Sequence, residues 1–176
     1  PISKFKKIKP STAIKHPNWK MGKKISIDSA TMMNKVFEVI EAQRIFNIEL
    51  KKFKILVHPN SYVHSIVKFN NGTTKFLVHD TNMKIPIFNT LYQNSNKKLM
   101  SKKLDITKLN NLNFKNIDKK KFPVINILNH VSKKFSLYET VIVSANDLLV
   151  QFFLDGKIKF LDISIYLEKI VKLKEF

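Results

Sequence analysis

Glycine occurs only three times in 176 residues, at Gly22, Gly72 and Gly156, and no two share a loop. A dinucleotide fingerprint or a P-loop needs several glycines close together, for tight turns and for backbone approach to phosphate. The chain therefore cannot build a standard nucleotide-binding domain from its own residues. The absence of cysteine removes disulfides, thiol catalysis and Cys-ligated zinc. A hydrophobic content of 44% is enough for a globular core, and a chain of this length holds one domain or a domain with a small satellite. No run approaches the roughly 18 apolar residues of a membrane-spanning helix. The sequence opens on Pro1 rather than Met, so it carries no information about a targeting segment.

The formal charge of +19 raises the question of nucleic acid. The 32 basic residues are 31 lysines and one arginine, Arg44. Lys, Asn, Ile and Phe are over-used together, as A/T-rich codons would produce. A dedicated nucleic-acid binder favours Arg, whose planar fork reads phosphates and guanine edges. The lysines are also spread along the chain, with only short clusters such as Lys119-Lys120-Lys121. Compositional bias is the simpler account, and no nucleic-acid or membrane partner is expected.

Along the chain, residues 1–15 read as an irregular basic entry and residues 16–22 as a loop. Ile25-Ser26-Ile27 suggests a short strand, and Asp28-Ser29 a helix start running to about Phe46. Within that helix Met33, Val36, Phe37 and Ile40 share an apolar face, with Thr31, Asn34, Lys35, Glu38 and Glu41 opposite. Residues 53–58 and 62–69 have strand composition. Asn70-Asn71-Gly72 is a turn that pairs the second run with residues 73–78 as a hairpin. A helix is expected near 85–91, then a Lys/Asn-rich connector over 94–121 that drapes over the fold. Three helices follow, starting near Pro123, Tyr138 and Asp162. The expected fold class is α+β: a domain with a small mixed sheet and helices over 1–93, which the resemblance given below makes the catalytic one, the connector, and a small helical domain over 122–176.

The segment His16 to Phe46 carries the chemistry. Ser29 and Thr31 would lie near a helix N-terminus, where backbone N–H groups favour an anion. Asn34 and Lys35 add a neutral donor and a positive charge. Glu38, four residues after Asn34, could hold a divalent cation. On residue pattern alone, such a polar stripe is more often the solvated face of an amphipathic helix, and Trp19 and Met21 are more often core residues than a lid.

The string HPNWKMGKKISIDSATMMNKVFEVIEA closely resembles the signature of the 1-deoxy-D-xylulose 5-phosphate reductoisomerases. HPNSYVHS at His58–Ser65, SAND at Ser144–Asp147 and GKIKFLDI at Gly156–Ile163 are similar to later family segments, in the family's order. The resemblance implies an enzyme that isomerises and NADPH-reduces 1-deoxy-D-xylulose 5-phosphate to 2-C-methyl-D-erythritol 4-phosphate in non-mevalonate isoprenoid synthesis, with Mg²⁺ or Mn²⁺. It implies substrate binding by His16, Ser29, Asn34, Lys35 and Glu38, with Glu38 and His16 catalytic and Glu38 a metal ligand. Glu41 matches a nearby acidic residue. Gly22 matches a position beside the nicotinamide, and Trp19 and Met21 an active-site loop.

Met83 stands where the family has a PDM segment, but here in the triplet Thr81-Asn82-Met83. Structural roles are expected for His58, His64, His79 and His130. By the same resemblance the cofactor domain, two further acidic metal ligands and a Ser-Gly-Gly phosphate segment belong upstream, so the chain alone is expected to be inactive. A homodimer in the bacterial cytoplasm is expected, with a plastid-type organelle as the other location. The alternative is a noncatalytic basic module that binds phosphorylated ligands or nucleic acid.

Overall fold

The computed structural model describes residues 5, 7–15, 21–103, 105–132, 134 and 136–174. Pro10 occupies the first turn of helix α1, Pro10–Ala13, where its missing N–H would have had no helical partner anyway. Gly22 precedes helix α2, Lys23–Thr31, and one residue, Met32, separates α2 from helix α3, Met33–Phe46. The strand expected at Ile25–Ile27 is therefore helical, and the helix expected from Asp28 is two helices.

Both differences have local causes. Three residues reading Ile-Ser-Ile suit either a strand or a helix period. Here the Ser26 hydroxyl donates to the Gly22 carbonyl at 2.9 Å, adding to the Ser26 N–H bond to the same oxygen at 3.1 Å. Ile27 is then fully buried while Ile25 faces solvent. At the other end, the buried Thr31 hydroxyl lies 3.0 and 3.2 Å from the carbonyls of Ile27 and Asp28, and accepts the Met33 N–H at 3.3 Å. A side-chain oxygen thus takes over backbone partners and ends the helix.

Two compact units make up the chain, residues 1–55 with 117–176, and residues 56–116. These lines fall elsewhere than at 93/94 and 121/122, where the sequence pattern places its segments. In the first unit, α2 and α3 are followed by a 3₁₀ turn, Leu50–Lys52, and later by a 3₁₀ helix, Pro123–His130. Helix α6, Tyr138–Leu154, and helix α7, Phe160–Ile170, complete it. Their apolar faces form one core that includes Ile27, Met33, Val36, Ile127, Ile142, Phe153, Ile163 and Leu167. Each such side chain stabilises the fold by about 1.5–3 kcal/mol against its exposed state.

The α6–α7 corner is a Schellman motif. Gly156 at φ 75° lets its N–H reach the Phe153 carbonyl at 3.0 Å and the Lys157 N–H reach that of Phe152 at 2.8 Å. Asp162 then accepts the Lys159 N–H at 2.8 Å and fixes the start of α7, two residues earlier than the pattern predicts.

In the second unit, strands β2, Val63–Lys68, and β3, Thr74–Val78, form the expected hairpin. Its turn depends on Gly72 at φ 87° and on Asn71, whose side chain accepts the Thr73 N–H at 3.0 Å. The register slips between Val63 and Ser65, which leaves a bulge at His64. Helix α4, Lys84–Leu91, matches expectation. Strand β1 is only Leu56–Val57, because Ile55 packs into the helical core, and it pairs antiparallel with β4, Lys115–Asn116. The stretch read as a draping connector therefore supplies a strand, along with the short helix α5, Ile106–Asn110.

The single arginine holds the first unit together across a long loop. Arg44, at the C-terminal end of α3, donates to the carbonyls of Ser132 and Lys134, each at 3.1 Å, and pairs with Glu139. All three acceptors meet at Nη2, which the planar guanidinium holds more rigidly than a lysine stem would hold its ammonium. Burial pushes the Glu139 carboxyl up, but Arg44 and Ser136 outweigh it and hold the group below the usual glutamate range. A depressed pKa gives stability that is present above the unfolded value and lost as pH falls through the folded one. Arg44→Lys is expected to lower unfolding free energy by about 1–3 kcal/mol in urea melts. Glu139→Gln is expected to flatten the loss of stability below about pH 4.5, the ordinary glutamate value.

Candidate functional site

The break at Met32 determines what the first turn of α3 presents. Met32 has φ 69° and ψ 10°, a left-handed conformation that a bulky side chain rarely adopts. Immediately after it, Met33 and Val36 turn into the core while Asn34 and Lys35 stay partly exposed and Glu38 is exposed. The Asn34 side-chain amide donates to Glu38 Oε1 at 2.6 Å, and Lys35 Nζ donates to Glu38 Oε2 at 2.6 Å. One donor, one cation and one carboxylate therefore converge at the start of a helix, with nearly half of the lysine and glutamate side-chain surface still open to water.

Ser29 lies in the last turn of α2, three residues ahead of Met32, and its carbonyl accepts the Met32 N–H at 3.2 Å. Ser29 and Thr31 thus stand at the C-terminal end of a helix rather than at the expected N-terminus, and Thr31 is buried. The nearby helix start is that of α3. Glu41 is exposed one turn beyond Glu38. Met21 and Gly22 lead into α2, whereas His16 and Trp19 lie outside the described residues.

Gly22 has φ −63°, which any residue adopts, and a Cβ there would meet nothing within 4 Å. The packing of the described residues does not require glycine at that position. Met83 precedes α4 and is exposed. Among the remaining histidines, His58 stacks on Phe114 and its Nδ1 lies 3.0 Å from the Asn113 carbonyl, so that nitrogen carries the proton. His64 and His79 stack with ring centroids 3.6 Å apart.

Among the described residues, no three His, Cys, Asp or Glu side chains are grouped to hold a metal. Glu38 could supply one carboxylate, and the rest of a coordination shell would have to come from other residues or from a ligand. Also among the described residues, no helix is long and apolar enough to cross a membrane.

A buried polar contact behind the site is absent from the sequence reading. Asp28, on α2, accepts a hydrogen bond from the Asn146 side-chain amide on α6 at 2.8 Å. Lys24 pairs with Asp28 at 3.0 Å and with Asp147 at 2.9 Å. Burial pulls the Lys24 ammonium down, yet its hydrogen bonds to the two carboxylates prevail and its pKa rises above the ordinary lysine value. Asp28 reads as a helix cap in sequence, and only its position one residue after the buried Ile27 hints that it faces inward.

A helical core that carries a polar cluster at the start of the signature helix, and a separate small hairpin unit, define a domain of α+β architecture. Two family models narrow this. One, the 1-deoxy-D-xylulose 5-phosphate reductoisomerase C-terminal domain, matches residues 1–46, and the other, the DXP reductoisomerase C-terminal domain, matches residues 79–176. The reductoisomerase of Pelagibacter ubique is 63% identical over 175 residues, which is 99% of this chain and 45% of that protein. That of a Sulfurihydrogenibium species is 42% identical over 98% of this chain and 46% of its own length.

Among solved structures, the Zymomonas mobilis reductoisomerase in complex with NADPH aligns with a TM-score of 0.86 at 38% identity, over 97% of this chain and 44% of that one. A DOX-P reductoisomerase in complex with NADPH, fosmidomycin and magnesium aligns with a TM-score of 0.88 at 34% identity, over 99% and 43%. The chain belongs to the 1-deoxy-D-xylulose 5-phosphate reductoisomerase family. It spans less than half the length of these relatives.

If the Asn34–Lys35–Glu38 cluster exists for binding rather than for folding, removing it costs the fold little. Lys35→Met and Glu38→Gln are each expected to change unfolding free energy by less than about 1 kcal/mol in thermal or urea melts, as for exposed pairs generally. A larger loss would make the cluster structural.

Proposed function

We propose that this chain supplies the phosphosugar-binding helix and one metal-binding carboxylate of a 1-deoxy-D-xylulose 5-phosphate reductoisomerase. The whole enzyme would convert that substrate, with NADPH, to 2-C-methyl-D-erythritol 4-phosphate for isoprenoid synthesis. The observation that carries this reading is the convergence of Asn34, Lys35 and Glu38 on the first turn of α3, inside the segment where the family signature is densest. It is supported by the names of the relatives, and by neighbours whose structures hold NADPH, fosmidomycin and magnesium.

In the ligand-free arrangement the three side chains satisfy one another. A phosphate would take the donors of Asn34 and Lys35, joined by the Ser29 hydroxyl from the end of α2, and the α3 helix start favours the same negative charge. Glu38 would then be released to face a cation, so anion and cation binding reinforce each other through one exchange of partners. His16 is proposed to touch the substrate, and Trp19 and Met21 to close over it and exclude water. NADPH would supply hydride, and Mg²⁺ or Mn²⁺ would offset charge on the substrate oxygens while the carbon skeleton rearranges. On the same reading the whole enzyme would be a homodimer of the bacterial cytoplasm.

The decisive assay expresses this chain together with its upstream coding sequence and follows NADPH oxidation with 1-deoxy-D-xylulose 5-phosphate and Mg²⁺ or Mn²⁺. Metal-dependent turnover is expected, falling about 10²–10³-fold in Glu38→Gln, the usual cost of removing one electrostatic partner at a reacting centre. A folded protein without turnover would remove the enzymatic reading and leave a basic binding module, recognisable by salt-sensitive affinity for polyanions.

Gly22 gives a separate check on cofactor approach. Gly22→Ala is expected to leave unfolding free energy within about 1 kcal/mol of wild type, since the φ is ordinary and the space is open. In the complete enzyme the same variant is expected to raise the KM for NADPH, read from initial rates at saturating substrate.

A further inference from the structure

The contact between α2 and α6 is chemically expensive for what it does to stability. Asp28 is 2% exposed and Asn146 is fully buried, and they meet across 118 residues of sequence. Asn146 Oδ1 has no hydrogen-bond partner among the described residues, so the pair leaves a buried acceptor unsatisfied. Two apolar side chains of similar volume would stabilise the helix pair at least as well. What an amide facing a carboxylate adds is a single register, because only one placement of α2 on α6 makes the bond.

Lys24 extends the same lock. Its ammonium bridges Asp28 on α2 and Asp147 on α6, and it lies 5.4 Å from the centre of the Phe37 ring on α3. The three helices that meet here are therefore those that set the direction of α3 after the break. A left-handed Met32 persists only where its surroundings over-determine it. Thr31 fixes the break from inside, and the Asp28–Asn146 bond fixes the helix that leads into it.

We propose that Asn146 and Asp28 are positioning residues for the Asn34–Lys35–Glu38 cluster: their buried bond holds α2 in one register on α6 and so aims the first turn of α3. Neither residue touches the ligand. The functional half of this inference rests on the phosphosugar reading given above, while its structural half does not.

The test uses Asn146→Asp, which sets two carboxylates against each other, Asp28→Asn, and the double exchange Asp28→Asn/Asn146→Asp, which restores one carboxylate facing one amide. In the complete enzyme, Asn146→Asp is expected to raise the KM for the phosphosugar about tenfold or more, as small misplacements behind a site do. The KM for NADPH is expected to stay unchanged, and the double exchange to recover most of the loss. Lower thermal stability or less active protein with both KM values unchanged would overturn the proposal, as would a double exchange no better than Asn146→Asp.

Hydrogen exchange on the chain gives the second readout. Amides of residues 33–38 are expected to exchange faster in Asp28→Asn and Asn146→Asp than in wild type, while those of α7 are unaffected. Uniform acceleration, or none, would overturn the positioning role. If the wild-type enzyme shows no turnover, the phosphosugar reading fails and hydrogen exchange alone decides the proposal. If Asn146→Asp does not fold, the milder Asp28→Asn decides it by the same two readouts.

Discussion

A left-handed residue between two helices is the constraint on which the site depends. Had α2 and α3 been one continuous helix, every side chain after residue 31 would lie on a different bearing, and Met33, Val36 and Ile40 could not enter the core together with Ile27. The break re-phases the chain. It allows Ile27, Asp28 and Thr31 to face inward on α2 while Met33, Val36 and Ile40 do so on α3, and it leaves Asn34, Lys35 and Glu38 on the open side. Polar cluster and hydrophobic core are thus two results of one backbone event, stabilised by the Thr31 hydroxyl on one side and by helix packing on the other.

That event was not legible in the sequence, and the reason is physical. Helix breaks are announced by Pro, Gly or Asn, and Thr-Met-Met contains none of these. Thr31 interrupts α2 by competing for backbone groups, which a threonine does only where tertiary packing holds its hydroxyl inward. What was legible rests on periodicity and turn chemistry. The apolar spacing of Met33, Val36 and Ile40, the Asn-Asn-Gly hairpin turn, and the helix that starts at Tyr138 all appear as the pattern predicts. Family membership was legible by resemblance, whereas the Asp28–Asn146 bond joins residues 118 apart and no local pattern encodes it. β4 was hidden for a related reason: two residues, Lys115–Asn116, are defined as a strand only by their partner β1.

Composition is informative through its one exception. With 31 lysines and one arginine, a drift towards lysine has little effect where a basic side chain merely points into solvent. Exposed lysines lose little by having no fixed partner. At position 44 the side chain serves two carbonyls and a carboxylate at once, and an ammonium on a flexible stem would hold these partners less firmly. The arginine stands where hydrogen-bond geometry matters rather than charge. This also weakens the nucleic-acid reading on structural grounds, because the one guanidinium in the chain is committed to internal carbonyls and a carboxylate.

The same selectivity governs glycine and bears on what the chain can do alone. Gly72 and Gly156 have positive φ and are explained by the turns they make. Gly22 has neither a special φ nor, among the described residues, a neighbour that a Cβ would meet. The Glu38 carboxylate is held by Asn34 and Lys35, and among the described residues no group of three acidic or imidazole side chains stands there to make a cation site. On the function proposed above, the carboxylate and the cation at this helix start would form one wall of a binding site. The chain is too poor in glycine to cradle a dinucleotide, so on the same proposal the cofactor would reach that wall on other residues.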